Sequence, residues 1–221
     1  MAIGYDEGTV AVKISSDESR SSVNNGKLIY AKNYEIFTHN LKAIPKDDLK
    51  DDAIIMINAK ELGTSDVYPL TIKHSYSGQS FVITDQCEYV IYKTQTFSNL
   101  SFGTGSNFVW SKNGEYAVKK DTKIAIYDSN HTEQSTIRAD YPIEDLFGGP
   151  LLGVRSSDFV LFYDWETCNF ISKIDVTSKD VYWNNKTWKQ LIISLVPIFE
   201  NLINTLINII IIFICPAFRC F

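Results

Sequence analysis

The chain has 221 residues, 45% of them hydrophobic and 13% aromatic, with 21 basic against 26 acidic side chains and a formal net charge of −5 at pH 7. That is ample apolar material for one sizeable packed domain and rules out a disordered chain. Both charge signs are interspersed along most of the length, which disfavours a nucleic-acid partner held by a basic stripe.

At the N-terminus, Met1 to Gly8 carries neither the basic flank nor the apolar run of a signal peptide, so the expectation is a cytosolic body. Cys87 and Cys168 stand alone in strand-like sequence and Cys215 and Cys220 lie at the end, too scattered for a disulfide framework; they read as reduced thiols.

From Gly8 to about Trp183 the chain reads as apolar, β-branched runs of four to seven residues separated by Gly, Asn, Asp and Ser. The expected strands are Thr9 to Ile14, Lys27 to Ala31, Glu35 to Phe37, Ala53 to Asn58, Ser80 to Thr84, Glu88 to Tyr92 and Phe108 to Ser111. They continue with Tyr116 to Lys119, Lys123 to Tyr127, Leu151 to Arg155, Phe159 to Tyr163 and Asn169 to Ile174. Asn24-Asn25-Gly26, Ser77-Gly78, Asn113-Gly114 and Gly148-Gly149-Pro150 supply turn residues that tolerate positive φ. Pro45 to Asp52, with four aspartates and two lysines, reads as a solvated loop.

Three of these strands end alike. Tyr92, Tyr127 and Tyr163 follow one another at steps of 35 and 36 residues, and short strands recurring at such a step are the signature of a β-propeller, whose blades bury their faces only against neighbours. Function is then expected on surfaces rather than in a pocket of reactive groups. Tyr127-Asp128 and Tyr163-Asp164-Trp165 look like the aromatic and acid that end a WD-type strand, with the acid in the turn and the ring between blades.

No catalytic, cofactor-binding or metal-binding residue emerges. Phe102-Gly103-Thr104-Gly105 begins like a dinucleotide fingerprint but lacks the third glycine and the helix, so it reads as a turn. Gly26-Lys27 has no glycine upstream at phosphate-loop spacing. His39, His74 and His131 are far apart and none has a second ligand at metal spacing. Sequons at Asn99, Asn130 and Asn185 would matter only in a secretory lumen.

Near Asn184 the composition changes. From Leu191 to Phe218 the chain is mostly Leu, Ile, Phe and Asn, with Glu200 as the only charge. Its length permits a membrane-spanning helix, and a helix is expected from Lys189 to about Ile214. Asn201, Asn204 and Asn208 would form one polar stripe on it, which suits a partner or bundle better than lipid.

Several specific strings resemble the beta-prime subunit family of the coatomer: Ala2 to Thr9, Gly26-Lys27-Leu28-Ile29-Tyr30-Ala31-Lys32, Lys60-Glu61-Leu62-Gly63 and Ser101-Phe102-Gly103. Phe108-Val109-Trp110-Ser111, Gly114 to Val118 and Phe147 to Arg155, followed by Phe162-Tyr163-Asp164-Trp165, complete the set. The resemblance runs from about Ala2 to Trp183. It departs at Asp85-Gln86-Cys87, where the family usually has glycines, and from Lys186 onward, where the wording resembles translated non-coding DNA: a retained intron or an alternative last exon.

The resemblance implies an all-β fold: a partial WD40-like β-propeller, an open arc of blades, with a hydrophobic helix-prone tail. Residues 1–15 would be the closing strand region of a first propeller, 16–184 part of a second, and 185–221 a divergent tail. It implies a structural component of the COPI vesicle coat in Golgi–endoplasmic reticulum and intra-Golgi transport, here a truncated product, with no enzyme activity and no cofactor. The expected partners are other coatomer subunits and, peripherally, Golgi and vesicle membrane, with neither nucleic acid nor a small-molecule substrate; the expected location is cytoplasmic, with the tail able to insert in a membrane. No binding residue carries over from the family. The alternative is a stand-alone propeller module for peptide or protein interaction, tethered to a membrane by its tail.

Overall fold

Three tight hairpins set the pattern of the chain. Asn25 and Gly26 adopt φ of 49° and 81°, Gly78 of 71° and Gly114 of 100°, each reversing the chain between two antiparallel strands as the turn chemistry expects. In the computed structural model the described residues are 2–5, 8–11, 20–44, 59–183, 190–195 and 209–213, with side chains across 20–44 and, Lys179 apart, 59–183.

A two-stranded ribbon of β1 (Ala2–Tyr5) and β2 (Gly8–Ala11) comes first. Four four-stranded antiparallel sheets follow in strict chain order. The first blade comprises β3 (Ser21–Asn24), β4 (Lys27–Lys32), β5 (Glu35–Asn40) and β6 (Lys60–Thr64). The second has β7 (Thr71–His74), β8 (Ser80–Thr84), β9 (Glu88–Lys93) and β10 (Asn99–Thr104). In the third are β11 (Ser106–Trp110), β12 (Tyr116–Lys120), β13 (Lys123–Tyr127) and β14 (Glu133–Arg138). The fourth holds β15 (Asp145–Phe147), β16 (Leu152–Arg155), β17 (Val160–Tyr163) and β18 (Phe170–Ile174). A last sheet orders β19 (Ser178–Trp183), β20 (Gln190–Leu195) and β21 (Ile209–Phe213). Among the described residues no strand of the first blade pairs with this last sheet, so the blades form an open series.

The period-2 alternation of a strand sends successive side chains to opposite faces, and both faces of the inner blades are apolar. Ile29 and Ile36 of the first blade pack with Ile72, Phe81, Ile83, Val90 and Tyr92 of the second. The second blade's opposite face, Val82, Tyr89 and Ile91, meets Phe108, Trp110, Tyr116 and Val118 of the third. Val109, Ala117, Ile124 and Ile126 then meet Leu146, Leu152, Val154 and Trp165 of the fourth. Leu151, Val160 and Phe162 meet Val181 of β19. Each core therefore lies between blades rather than within one.

The recurrent tyrosines mark equivalent places. Tyr92, Tyr127 and Tyr163 close or nearly close the third strand of their blades, and each is followed by a turn holding a residue with positive φ: Phe97, His131 and Cys168 at 54°, 65° and 55°. Asp128 and Asp164 organise their turns: Asp128 accepts the backbone N–H groups of Asn130 and Thr132, and Asp164 accepts the N–H and hydroxyl of Thr167. Both aspartates thus have the structural role expected of them. At Asp85-Gln86-Cys87 the departure from the family wording leaves the reversal intact, with Asp85 N–H donating to the Glu88 carbonyl at 2.8 Å.

The helix expected from Lys189 to about Ile214 is corrected where the structure describes it. Gln190–Leu195 and Ile209–Phe213 are strands, the first paired with β19 and the second with the first. Runs of β-branched isoleucine favour extended backbone, and the edge of β19 offers unpaired backbone groups. The asparagine stripe, the loop from Pro45 to Asp52, the strand expected at Ala53 to Asn58, and Cys215 and Cys220 lie outside the described residues. Among the described residues no helix is long and apolar enough to cross a membrane, which says nothing of strands.

Two outcomes follow. Trp165 is 5% exposed and its indole N–H donates to the Gly149 carbonyl at 2.9 Å, so Trp165→Ala should lower stability by about 3–5 kcal/mol in urea unfolding. A change no larger than that of the exposed Phe170→Ala would show that the ring does not join the blades.

The second concerns pH. Ser22 Oγ accepts the His74 backbone N–H at 3.1 Å and lies 2.8 Å from His74 Nδ1, a hydrogen bond whose direction follows the imidazole tautomer. Burial, aided by Lys27, holds this histidine down at about 4. The unfolded chain therefore takes up the proton first, and stability should fall as pH drops from about 6.5 towards 4. Thermal melts between pH 6.5 and 4.5 should show a shallower slope for His74→Gln; an unchanged slope would remove His74 from the account.

Candidate functional site

Two surfaces concentrate polar and aromatic groups. The first is where the opening strands of successive blades meet. There Lys73 and His74 of β7, Tyr76, Val109 and Trp110 of β11, Leu146, Phe147, Gly148 and Val181 line a recess of about 270 Å³. The Lys73 ammonium donates to the Phe108 carbonyl at 3.0 Å, and the Trp110 indole N–H donates back to the Lys73 carbonyl at 3.1 Å. Burial lowers the Lys73 pKa, partly opposed by Asp145. The lysine is engaged in joining blades and is not poised as a nucleophile.

Similar ties recur at the next joints. Lys119 and Arg155 occupy matching positions, opposite the starts of β11 and β15. Lys119 donates to the Ile143 carbonyl at 2.5 Å and Arg155 to the Ser178 carbonyl at 3.3 Å, each just before or at the start of the following sheet. Charged donors make the stronger hydrogen bonds, and here they satisfy carbonyls that the strand ladders leave over.

Gly148 and Gly149 explain why Phe147 to Pro150 is so specific a string. A Cβ on Gly148 would lie 2.1 Å from the Trp110 carbonyl oxygen. At Gly149, φ is 135° and a Cβ would lie 2.5 Å from the Trp183 ring. The tight approach lets Gly149 N–H donate to the Trp110 carbonyl and its own carbonyl receive Lys112 N–H and the Trp165 indole. Three blade elements thus meet on two residues without side chains.

The second surface is a cleft of about 640 Å³ at the rim, between β10 and the third blade. Asp66, Glu88, Tyr89, Ser101, Phe102, Gly103, Lys120, Tyr127 and His131 line it. Lys120 donates to the Tyr127 hydroxyl at 2.6 Å and pairs with Glu133 at 3.3 Å, while the Tyr127 hydroxyl donates to Glu133 at 3.1 Å. Burial, with the Glu133 carboxylate beside it, pushes Tyr127 up to about 12, and burial pushes Tyr89 up as well. Both tyrosines therefore stay neutral donors across the physiological range. Such a cleft can hold a polymer segment by shape and hydrogen bonds; it does not assemble a nucleophile with a base.

The residues weighed from sequence are not brought together. His39 lies in β5, His74 in β7 and His131 in the turn before β14, and among the described residues no group of three His, Cys, Asp or Glu could hold a metal ion. Cys87 is exposed and Cys168 partly buried, both as free thiols. Phe102, Gly103 and Thr104, expected as a turn, are instead paired residues of β10, and Gly105 alone links them to β11, a strand rather than the helix a dinucleotide fingerprint needs. Sequence reasoning missed the exposure of Leu100 and Phe102, 41% and 76%. The signal was there: Ser101 and Gly103 alternate with them, small residues holding the inward parity.

Comparison with known proteins agrees with the geometry. The COPA/B second beta-propeller family model matches residues 33–197, past Lys186 and through β20. Coatomer subunit beta'-1 of Arabidopsis thaliana is 44% identical over 185 residues, covering 83% of this chain and 20% of the relative. Coatomer subunit beta' of Mus musculus is 36% identical over 187 residues, covering 84% of this chain and 21% of the relative. The chain thus spans about a fifth of the length of these relatives. In the crystal structure of a mitotic checkpoint complex, one chain superposes with a TM-score of 0.55 at 13% identity, covering 87% of this chain and 68% of that one, which bears on fold alone. With four consecutive blades and a family match over most of its length, the chain belongs to the COPA/B second beta-propeller family.

Proposed function

We propose that the chain serves as a structural element of the COPI vesicle coat in transport between Golgi and endoplasmic reticulum and within the Golgi, acting through surfaces and without chemistry of its own. The observation that carries this reading is the family match over residues 33–197, joined to relatives named as coatomer beta-prime subunits. The partners are other coatomer subunits, and the location is cytoplasmic, peripheral to Golgi and vesicle membrane. Residues 16–184 act as part of a second propeller and residues 1–15 as the closing region of a first.

The physical chemistry supports a scaffold. Lysines and indoles at the blade joints are engaged with backbone carbonyls, which stiffens the stack and leaves rims and strand ends as contact surfaces. A second reading, a stand-alone interaction module, draws on the exposed aromatic at the rim, Phe102.

A chimera distinguishes them. Replacing the matching span of a full-length coatomer beta-prime subunit with residues 33–197 should preserve co-purification with the other coatomer subunits and support retrograde transport. Loss of incorporation, with the chimera folded as judged by a cooperative melt, would overturn the coat reading and leave the module.

A further inference from the structure

The outer strand of the second blade is built the wrong way out for a solvated rim. Ser101 and Gly103 of β10 lie opposite Ile91 and Tyr89, on the face turned to the third blade, and Phe102 lies opposite Val90 on the other. The inward positions admit nothing larger at Gly103, where a Cβ would meet the Tyr89 hydroxyl at 2.7 Å. The apolar residues are consequently displayed: Leu100 is 41% exposed and Phe102 76%.

The other outer strands each also send apolar residues inward, although β18 opens on the exposed Phe170. Leu62 of β6, Ile137 of β14 and Ile171 and Ile174 of β18 pack against the inter-blade cores. Those strands also carry charge, Lys60 and Glu61, Glu133 and Arg138, and Lys173, whereas β10 carries none. Charge on an edge strand is the usual guard against unwanted pairing. β10 is outermost in its sheet, with no strand beyond it among the described residues, so its outer backbone edge is open and unguarded.

The cleft around it is acidic. Asp66 and Glu88 line it, and its lysine, Lys120, is held by Glu133 at 3.3 Å. We infer that β10 is a docking edge for an extended segment of a partner protein, one that alternates apolar with basic residues and adds as a fifth strand to the second blade. Backbone pairing supplies the affinity, Phe102 and Leu100 receive the apolar side chains, and Asp66 and Glu88 select for Lys or Arg. The inference stands independently of the coat role.

The test titrates the full chain with a fluorescent peptide of about ten residues alternating lysine and valine, read by anisotropy. Saturable binding is expected. It should weaken about tenfold or more in Phe102→Ser, a surface change that leaves the melting temperature in place, and should be lost when proline replaces the central valine or glutamate replaces lysine. No saturable binding, equal binding of the proline peptide, or affinity unmoved by Phe102→Ser would overturn the inference. Sedimentation of the chain alone should give a monomer; a dimer abolished by Phe102→Ser would assign the edge to a second copy and overturn it equally.

Discussion

Along the middle strands of the inner blades, alternate residues face the blade before and the blade after, and neither face is polar. Phe81 and Ile83 meet the first blade while Val82 between them meets the third. Such a sheet has no solvent face to offer, so it is stable only when sandwiched. Everything else depends on this. The near-constant step between Tyr92, Tyr127 and Tyr163, the two glycines at the joint of the third and fourth blades, and the absence of a core inside any one blade all follow from stacking two-faced apolar sheets edge to axis.

Apolar burial sets how much surface is hidden but not which register is hidden. Direction comes from the polar ties at the joints: Ser22 to His74, Lys73 to Phe108 and Trp110 back to Lys73, Asn107 to Glu144, and Arg155 to Ser178. Each pairs a side chain of one blade with the next and would be left without its partner by a slip along the strand. Because these groups are spent on assembly, the fold offers its partners shape and strand edges. That suits the coat role proposed for the chain.

The inner strands were legible in the sequence because both of their faces are apolar. Ser80 to Thr84, Glu88 to Tyr92, Tyr116 to Lys119 and Lys123 to Tyr127 lie where the hydrophobic runs put them, within a residue. The outer strands β6, β10 and β14 and the opening strands β3, β7 and β15 were not, since their sequences are half polar and their pairing is fixed by neighbours rather than by pattern. The tail misled for a related reason: an isoleucine-rich run satisfies a helix or a strand equally, and the free edge of β19 decides it. Of the surfaces, the glycine pair was visible as a word without a mechanism. The rim cleft needed the knowledge that Gly103 sits under Tyr89, a contact between strands that no spacing reveals.

The claim that blades stabilise one another across their faces is tested most directly by a double-mutant cycle at one joint. Tyr89 of the second blade and Phe108 of the third have ring centroids 5.3 Å apart. Urea unfolding of Tyr89→Leu, Phe108→Leu and the double variant should give a coupling energy of about 0.5–3 kcal/mol, while Tyr89→Leu combined with Leu152→Ala at the next joint should be additive to within about 0.5 kcal/mol. Additivity at the Tyr89–Phe108 pair would contradict the account, because it would mean that each sheet is stabilised without its neighbour.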